Sequence, residues 1–362
     1  MIYYIAHWDW ILKKSRFDIV KDLKDEFKIT GITPVENKHF FLEESYSEVI
    51  NWNYKREKVL DIKGVINLRK IIKNCKTEDL IHLFTLKSLI IFLLSSIFIN
   101  KKTSVMASIT GLGFLFANTN FALLLKTILR PFIRYKINKN IDVLIFQNKS
   151  NLNEFVSYSQ FSNKTLLLEG SGLNTEALKT KDSFNQKLKV IFVSRLLKEK
   201  GFYEFIEIIN NKANDDRFEF YIAGSIDEGN KSSISIVDLK NILKKTNVTY
   251  LGEIKTDSEL YKYDILISPS HHEGFSRIIL EAGYVGLLCL ANNIPGIKNI
   301  IEVLQCGKVI DNNNIEQFVK ELDNCEENIS RLNYTNTRET VKQNYSVSAI
   351  AKKMKEIYDE FI

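Results

Sequence analysis

Short runs of apolar residues alternate along the chain with longer segments of mixed polarity. In the first half, these runs predict strands at 2–6, 28–33, 80–84, 104–109 and 143–147. In the second half, they predict strands at 188–194, 218–224, 248–251, 265–268 and 288–291. The intervening segments predict helices, among them 202–210, 235–245 and 276–285. Strands that alternate with helices are typical of α/β proteins with doubly wound parallel sheets.

The length and one polar segment predict two domains. A chain of 362 residues is longer than one ordinary hydrophobic core supports. Glycines at 170 and 172 are followed by a polar run up to Lys187, which predicts a hinge. We therefore expect one domain over 1–170 and another over 171–345. The remaining residues, 346–362, predict a helix whose apolar positions form one packed face.

Composition restricts the class of protein. With 45% hydrophobic and 26% charged residues, the chain is expected to be globular and not disordered. Its four cysteines lack the spacing of metal ligands, and they predict free thiols in a reducing compartment. The first ten residues lack the basic start and unbroken apolar run of a signal peptide, so we expect a cytoplasmic protein.

Charge is distributed unevenly. Residues 1–180 carry 26 Lys and Arg against 17 Asp and Glu, whereas residues 181–362 carry 24 against 27. No acidic residue occurs between Asp79 and Asp142. That stretch holds eight cations, Lys87, Lys101, Lys102, Lys126, Arg130, Arg134, Lys136 and Lys139. A basic segment without acids suits an anionic surface, either phospholipid headgroups or nucleic acid.

Two apolar segments of the first half bear on membrane contact. Segment 88–99 is shorter than the roughly 20 residues that cross a bilayer, and it predicts a buried helix. Segment 121–136 combines bulky apolar residues with four cations. Such a helix can lie in a headgroup interface, or it can bury one face in the core with its cations in water. The sequence leaves both interpretations open.

Candidate chemistry follows two predicted strands of the second half. Arg195 and Lys200 come after the first strand, and the segment Glu273–Glu281 carries a carboxylate at each end of a turn that opens a helix. In one parallel sheet, the carboxyl ends of these strands meet at one edge. Cations and the backbone N–H groups near Gly274 and Phe275 suit a diphosphate, and carboxylates accept hydrogen bonds from sugar hydroxyls. Taken singly, each segment could also be a solvated surface cluster.

Together these residues resemble the retaining glycosyltransferases of family four, whose signatures read GRL…EKG and then EGF…E. Ser194 stands where the first signature usually has glycine. The resemblance implies that Arg195 and Lys200 hold the donor diphosphate. It also implies that Glu273 contacts the donor sugar and Glu281 contacts the ribose.

The resemblance further implies the GT-B architecture, in which two Rossmann-like domains face each other across a cleft. Domain 1–170 would then bind the acceptor and 171–345 the nucleotide-sugar donor. The helix in 346–362 would cross back to the first domain.

The first half also resembles members of this family that build bacterial surface polysaccharides of the O-antigen or capsule type. The similar segments are His7–Trp10 with Arg16, 81–87, 110–113, 146–148 and 170–172. The loop with Thr110, Gly111 and Gly113 follows a predicted strand, and it is either a tight turn or a loop that lines the acceptor cleft. His82 and His7 lie in or next to strands, as core residues or as cleft residues. Many relatives carry a histidine near the position of Thr110, and because this chain does not, we assign no general base.

The expected activity is that of a retaining, hexosyltransferase-like enzyme that needs no metal. The sequence has no Asp-x-Asp pair to hold a metal ion on a diphosphate, so Arg195 and Lys200 would meet the developing charge. The donor is expected to be a nucleotide-diphosphate sugar, with UDP preferred and GDP possible. The expected acceptor is a lipid-linked saccharide, reached by peripheral binding of the basic first domain to the anionic inner face of the cytoplasmic membrane.

Three alternatives remain. A UDP-sugar epimerase shares the GT-B fold, but its His-Arg-Arg-Glu-Asn signature is absent here. An inactive partner subunit of a glycosyltransferase would not be expected to keep Arg195, Lys200, Glu273 and Glu281. A nucleic-acid-binding protein would show a basic stripe with exposed aromatics and a known motif, and neither is visible.

Overall fold

The computed structural model describes residues 1–35, 44–55, 57–58, 61–97, 99, 103–116, 119–227, 230, 232–311 and 314–362. Lys101 and Lys102 of the basic stretch lie outside the described residues. The chain divides into two compact units. Unit 1 comprises Met1–Gly172 and Tyr345–Ile362, and unit 2 comprises Leu173–Asn344. The boundary lies two residues beyond the predicted one.

Unit 1 contains a parallel sheet of seven strands in the order β3-β2-β1-β4-β5-β6-β7. The strands are β1 Ile2–Ala6, β2 Ile29–Thr33, β3 Glu48–Asn51, β4 Leu80–Phe84, β5 Ser104–Ile109, β6 Val143–Phe146 and β7 Lys164–Leu167. The central strands are almost wholly buried, as expected for a parallel sheet covered on both faces. Chain order reverses between β1 and β4, so this pair marks the topological switch point of the sheet.

Helices cover both faces of this sheet. They are α1 Asp9–Ile11, α2 Phe17–Leu23, α3 Ile62–Lys73, α4 Leu86–Ser95, α5 Asn120–Asn140 and α6 Lys149–Ser159, with a π-helical turn at Leu12–Arg16 and a 3-10 turn at Gly113–Phe116. One hydrophobic core lies between the sheet and α3 to α6. A second core lies on the other face, under α1 and α2. The segment predicted at 88–99 falls largely within α4, most of which is buried, so the buried-helix interpretation is correct.

The last helix, α15 Val347–Asp359, packs against α2 and completes the second core of unit 1. Ile350, Met354 and Tyr358 are fully buried there. The Tyr358 hydroxyl is hydrogen-bonded to the Tyr4 hydroxyl at 2.6 Å and to His82 Nδ1 at 2.7 Å. The last helix therefore belongs to the first unit.

His82 is a core residue, which corrects its assignment to an acceptor cleft. Its side chain is 0% exposed, and its Nε2 is 2.8 Å from the Ser108 hydroxyl. Burial, with the nearby Arg16 charge as a second cause, lowers the pKa of His82 well below its ordinary value. Helix α15 covers this position of β4, and the sequence around His82 does not predict that a distant helix packs there.

Unit 2 contains a parallel sheet of six strands in the order β10-β9-β8-β11-β12-β13. The strands are β8 Leu188–Val193, β9 Phe218–Ala223, β10 Val248–Tyr250, β11 Ile265–Ser268, β12 Leu288–Asn292 and β13 Gly307–Ile310. Chain order reverses between β8 and β11, which are neighbours in the sheet. Loops after these two strands therefore emerge side by side at the carboxyl edge.

The helices of unit 2 are α7 Phe202–Asn211, α8 Ile236–Lys245, α9 Thr256–Glu259, α10 Arg277–Val285, α11 Pro295–Leu304, α12 Ile315–Asp323, α13 Cys325–Ser330 and α14 Tyr334–Tyr345, with 3-10 turns at Lys198–Lys200 and Leu260–Lys262. The predicted fold class, two Rossmann-like parallel-sheet domains, is confirmed. All ten predicted strands are present within one residue of their expected ends. Three edge or near-edge strands, β3, β7 and β13, were not predicted.

Within the described residues, no helix combines the length and the apolar character that a membrane span requires.

Candidate functional site

The structure brings Lys200 and Glu273 into direct contact at the switch point of the second sheet. Lys200 ends the 3-10 turn after β8, and Glu273 lies in the loop between β11 and α10. Lys200 Nζ donates to Glu273 Oε1 at 2.6 Å, and the two side chains are 16% and 20% exposed. Two of the four predicted donor-site residues therefore form a largely desolvated ion pair that keeps some contact with solvent.

A glycine permits this contact. Gly201, which follows Lys200, has a φ of +77°, and a Cβ there would lie 2.2 Å from the carbonyl oxygen of Pro269. The two loops can approach this closely only where no side chain intervenes. The backbone N–H of His271 then donates to the carbonyl of Glu199 at 3.0 Å and fastens the loops together.

A second polar contact joins the loop after β11 to the start of α7. His271 Nε2 is 2.7 Å from Glu204 Oε1, and both side chains are partly exposed. Sequence reasoning did not identify Glu204. The sequence feature that could have indicated Glu204 is its position in the first turn of α7, four residues after Lys200.

The loop that carries Glu273 is held from the other side by the start of α11. A Cβ on Gly296 would lie 2.3 Å from the carbonyl oxygen of Glu273, and the Ser276 N–H donates to the Gly296 carbonyl at 2.9 Å. The Asn292 amide donates to the carbonyls of Pro269, at 2.9 Å, and of Ser270. The path from β11 to α10, which includes Gly274 and Phe275, is therefore fixed by backbone contacts.

Glu281 lies on α10, in the second turn. Arg277 Nε donates to Glu281 Oε1 at 2.8 Å, and the Glu281 side chain is 8% exposed. The structure thus places Glu281 on the helix that follows Glu273, as predicted from the motif, with a neighbouring cation as its partner.

Two buried polar atoms at this edge lack a hydrogen-bond partner among the described residues. They are the Ser276 hydroxyl, at the N-cap of α10, and Glu199 Oε2, next to Lys200. Buried polar atoms are nearly always paired in folded proteins, so two such atoms at one edge mark a place where a ligand or water belongs.

Arg195 has a different partner from the one expected. Its Nη1 donates to Asp227 Oδ2 at 2.6 Å, and the two side chains are 53% and 32% exposed. Arg195 follows β8 at the same edge as Lys200, but the structure pairs it with neither Glu273 nor Glu281.

In unit 1, His7 lies at the switch point of the first sheet. It follows β1, and its side-chain Nδ1 is 2.9 Å from the Thr85 hydroxyl. Its backbone N–H donates to the Ser88 hydroxyl at 3.0 Å. The loop after β5 is open, because a Cβ on Gly111 or Gly113 would meet no heavy atom of the described residues within 4 Å. Gly113 has a φ of +56°, a backbone conformation that favours glycine. Thr110 is half-buried. The acceptor roles of His7, Thr110, Gly111 and Gly113 stay predictions.

In the part of the chain that the structure describes, no group of three or more His, Cys, Asp or Glu side chains is arranged to hold a metal ion. All four cysteines are free thiols.

Comparison with known proteins identifies the domain that carries this site. Residues 174–344, nearly all of unit 2, match the family described as "Glycosyl transferases group 1". Unit 2 is therefore a domain of this family.

The chain is also similar to two curated bacterial proteins. The chain is 27% identical to an uncharacterized 41.2 kDa protein in the cps region of Klebsiella pneumoniae, over 38% of this chain and only 37% of that protein. It is 25% identical to the N,N'-diacetylbacillosaminyl-diphospho-undecaprenol alpha-1,3-N-acetylgalactosaminyltransferase of Campylobacter jejuni, over 99% of this chain and 98% of that protein.

Among solved structures, the chain is similar to Anabaena Alr3699/HepE in complex with UDP-glucose. The TM-score is 0.77 at 16% identity, with 99% of each chain covered. At this identity the likeness establishes the fold, which is that of GT-B glycosyltransferases.

Proposed function

We propose that this chain is a glycosyltransferase that moves a sugar from a nucleotide-diphosphate sugar, with UDP as the preferred nucleotide, to a lipid-linked saccharide during synthesis of a bacterial surface polysaccharide. One observation carries the proposal. Within a domain of the glycosyl transferases group 1 family, Lys200 and Glu273 form an ion pair at the switch point of a parallel sheet, where ligands of such sheets bind.

The donor diphosphate would lie over the N-terminus of α10 and against Lys200. The Lys200 ammonium supplies a fixed positive charge, and the N–H groups near Gly274 and Phe275 supply donors and the positive end of the helix dipole. The unpaired Ser276 hydroxyl offers one more donor. Glu273, held in place through its backbone, would accept hydrogen bonds from the sugar, and Glu281 would accept them from the ribose.

Lys200 has the chemistry that a departing diphosphate requires. Negative charge grows on the diphosphate as the bond to the sugar breaks, and a preorganised cation in a partly desolvated site stabilises that charge. Arg195 is a second cation at the same edge. This pair would replace the metal ion that other transferases use, and transfer with retention would need no enzyme base, since the departing phosphate can accept the proton of the acceptor hydroxyl.

The names of two similar proteins support the choice of donor and acceptor. The HepE structure contains UDP-glucose, which favours a UDP-sugar over a GDP-sugar. The Campylobacter jejuni relative is named for a diphospho-undecaprenol acceptor, a saccharide carried on a lipid. By similarity, we assign a lipid-linked acceptor to this chain.

Helix α5 supports peripheral binding at an anionic membrane. Its exposed large apolar side chains are Phe121, Leu123, Leu124, Ile128 and Tyr135, and all but Leu123 recur at helical spacing on one face. The helix also carries exposed cations, among them Arg130 and Lys139, and no acid occurs within it. Exposed apolar side chains on a helix that is rich in cations and free of acids are typical of a helix that lies in a headgroup interface.

The proposal is tested by thermal unfolding with UDP, GDP and dTDP as ligands. A nucleotide that binds only the folded chain raises its melting temperature, and we expect UDP to give the largest rise. The rise should shrink in Lys200→Ala and persist in Lys198→Ala, a neighbouring lysine that is exposed on the same turn. No rise with any of the three nucleotides, or an equal rise in Lys200→Ala, would contradict the donor site.

A further inference from the structure

We propose that Trp8 and Trp10 form a stacking platform for a pyranose ring of the acceptor, beside the polar cluster of His7, Thr85 and Ser88 at the carboxyl edge of the first sheet. The proposal deepens the proposed function, because it names side chains of unit 1 that would bind the saccharide part of the acceptor.

The two indoles form an ordered pair at the surface. Their ring centroids are 5.1 Å apart and their planes are inclined by 16°, so they are stacked. Trp8 packs against the core under α2, whereas Trp10 is 46% exposed. The inner indole therefore anchors the outer one, and the face of Trp10 that Trp8 does not cover is available to a ligand.

Their place in the fold is the one where ligands of parallel sheets bind. Trp8 and Trp10 lie in the short segment directly after β1. β1 and β4 form the switch point of the sheet, and the loop after β4 carries Thr85 and Ser88. The aromatic pair is thus continuous in sequence with His7, which is hydrogen-bonded to the hydroxyls of both residues.

Thr85 is held in a strained backbone conformation. Its φ is +82° and its ψ is 154°, a region that is almost confined to glycine and is unfavourable for a β-branched residue. In this conformation the Thr85 hydroxyl caps α4 and lies 2.9 Å from His7 Nδ1. Strain that persists at a topological switch point, in a residue with such a hydroxyl, indicates that the position of this group matters for binding.

The combination of groups suits a saccharide. A pyranose presents one face of C–H groups, which packs on an aromatic ring, and a rim of hydroxyls, which need hydrogen-bonding partners. A rigid indole with a polar tip supplies the first at a small entropic cost. The partly exposed side chains of His7 and Thr85 next to it would supply the second. Such a mixture of apolar surface and a few placed polar groups is typical of small-molecule sites.

The test is saturation-transfer NMR with a panel of methyl pyranosides of glucose, galactose, N-acetylglucosamine and N-acetylgalactosamine, with sorbitol as the acyclic control. We expect at least one pyranoside, and not sorbitol, to receive saturation on the C–H protons of one ring face. Trp10→Ala should weaken that binding by about tenfold, equivalent to about 1.4 kcal/mol. Trp10→Phe should restore part of it. Ile66→Ala, which removes another exposed apolar side chain of unit 1, should leave it unchanged.

Each other outcome overturns the proposal. It fails if no pyranoside binds the wild-type chain, or if Trp10→Ala binds as well as the wild type. Exposed tryptophans also occur at membrane interfaces, so binding to vesicles of phosphatidylglycerol and phosphatidylcholine is measured in parallel. Loss of vesicle binding in Trp10→Ala with unchanged pyranoside binding would identify a membrane anchor instead. Failure here is distinguishable from failure of the proposed function, because the UDP-induced rise in melting temperature should be the same in Trp10→Ala and wild type.

Discussion

Replacing Lys200 with alanine should reduce donor turnover on the order of a hundredfold, the scale found when one preorganised charge stabiliser is lost. Lys200 Nζ is 2.6 Å from Glu273 Oε1 and 16% exposed. For a unit negative charge at that distance, the gross attraction is about 6 kcal/mol with an effective dielectric constant of about 20. A hundredfold loss corresponds to about 3 kcal/mol, which is smaller than this gross attraction, as expected when desolvation and the water that replaces the ammonium offset part of it.

The same substitution should have a much smaller effect on folding. Glu273 loses its partner but keeps 20% exposure, so water can solvate part of the carboxylate. The pair lies between the surface limit and the buried limit, and we expect the free energy of unfolding to fall by about 1 kcal/mol. A large loss of turnover with a small loss of stability separates a role in the reaction from a role in the fold.

The assay is the release of UDP from the UDP-sugar that raises the melting temperature most, measured without acceptor for wild type, Lys200→Ala and Lys198→Ala. Lys198 lies in the same 3-10 turn and is exposed, so its replacement controls for loss of a nearby charge. Turnover of Lys200→Ala within about threefold of wild type, a difference below 1 kcal/mol, would refute the assigned role.

Three further predictions concern other parts of the structure. Glu281→Gln should weaken UDP binding by about tenfold in calorimetry, because a hydrogen bond to a charged acceptor is lost. Glu302→Gln, which changes the exposed i,i+4 ion pair of the next helix, should leave UDP binding unchanged. Equal UDP affinities of the two variants would exclude the ribose contact. Gly201→Ala should lower the free energy of unfolding by about 2 kcal/mol or more in urea titrations, because residue 201 has a positive φ and its Cβ would overlap a carbonyl. Gly111→Ala, whose Cβ meets open space, should change the free energy of unfolding little. Similar losses in the two variants would contradict the close approach of the two loops. The pKa of His82 is held well below its ordinary value of 6.5, so near that pH only the unfolded chain protonates this histidine. The free energy of unfolding should therefore fall as pH drops below about 6.5, by at most about 1.4 kcal/mol per pH unit. Urea titrations at several pH values should show a smaller slope in His82→Asn, and an unchanged slope would contradict this assignment.

The central strands were predictable from sequence because burial on both faces makes nearly every position apolar. β4, whose residues are all buried, is apolar at every position except His82. The edge strands β3 and β7 show no such run, since they are exposed at both ends and have only partly buried centres. Their strand character comes from pairing with a neighbour in the sheet, which a local pattern does not contain.

The residues of the candidate site that belong to a sequence motif were predictable, whereas the contacts that depend on the tertiary fold were not. Lys200 and Glu273 were identified from two short motifs, and the structure joins them. The partner of His271 is Glu204, 67 residues earlier in the chain, and that contact depends on the loops being brought together. His82 shows the reverse, since its strand position suggested a ligand site while a helix 276 residues later covers it.

The pairing of Arg195 with Asp227 is compatible with a role for Arg195 in holding the donor. The two side chains are 53% and 32% exposed, and a pair this open to water stabilises the folded chain by about 1 kcal/mol or less. A guanidinium binds a phosphate through two parallel hydrogen bonds, which are stronger than a single contact to an exposed carboxylate. A diphosphate within reach of Arg195 would therefore displace Asp227 at little cost in stability. If it does, Asp227→Asn should tighten UDP binding slightly, because the competing carboxylate charge is removed, and weaker binding in that variant would show that Asp227 positions Arg195 for the donor instead.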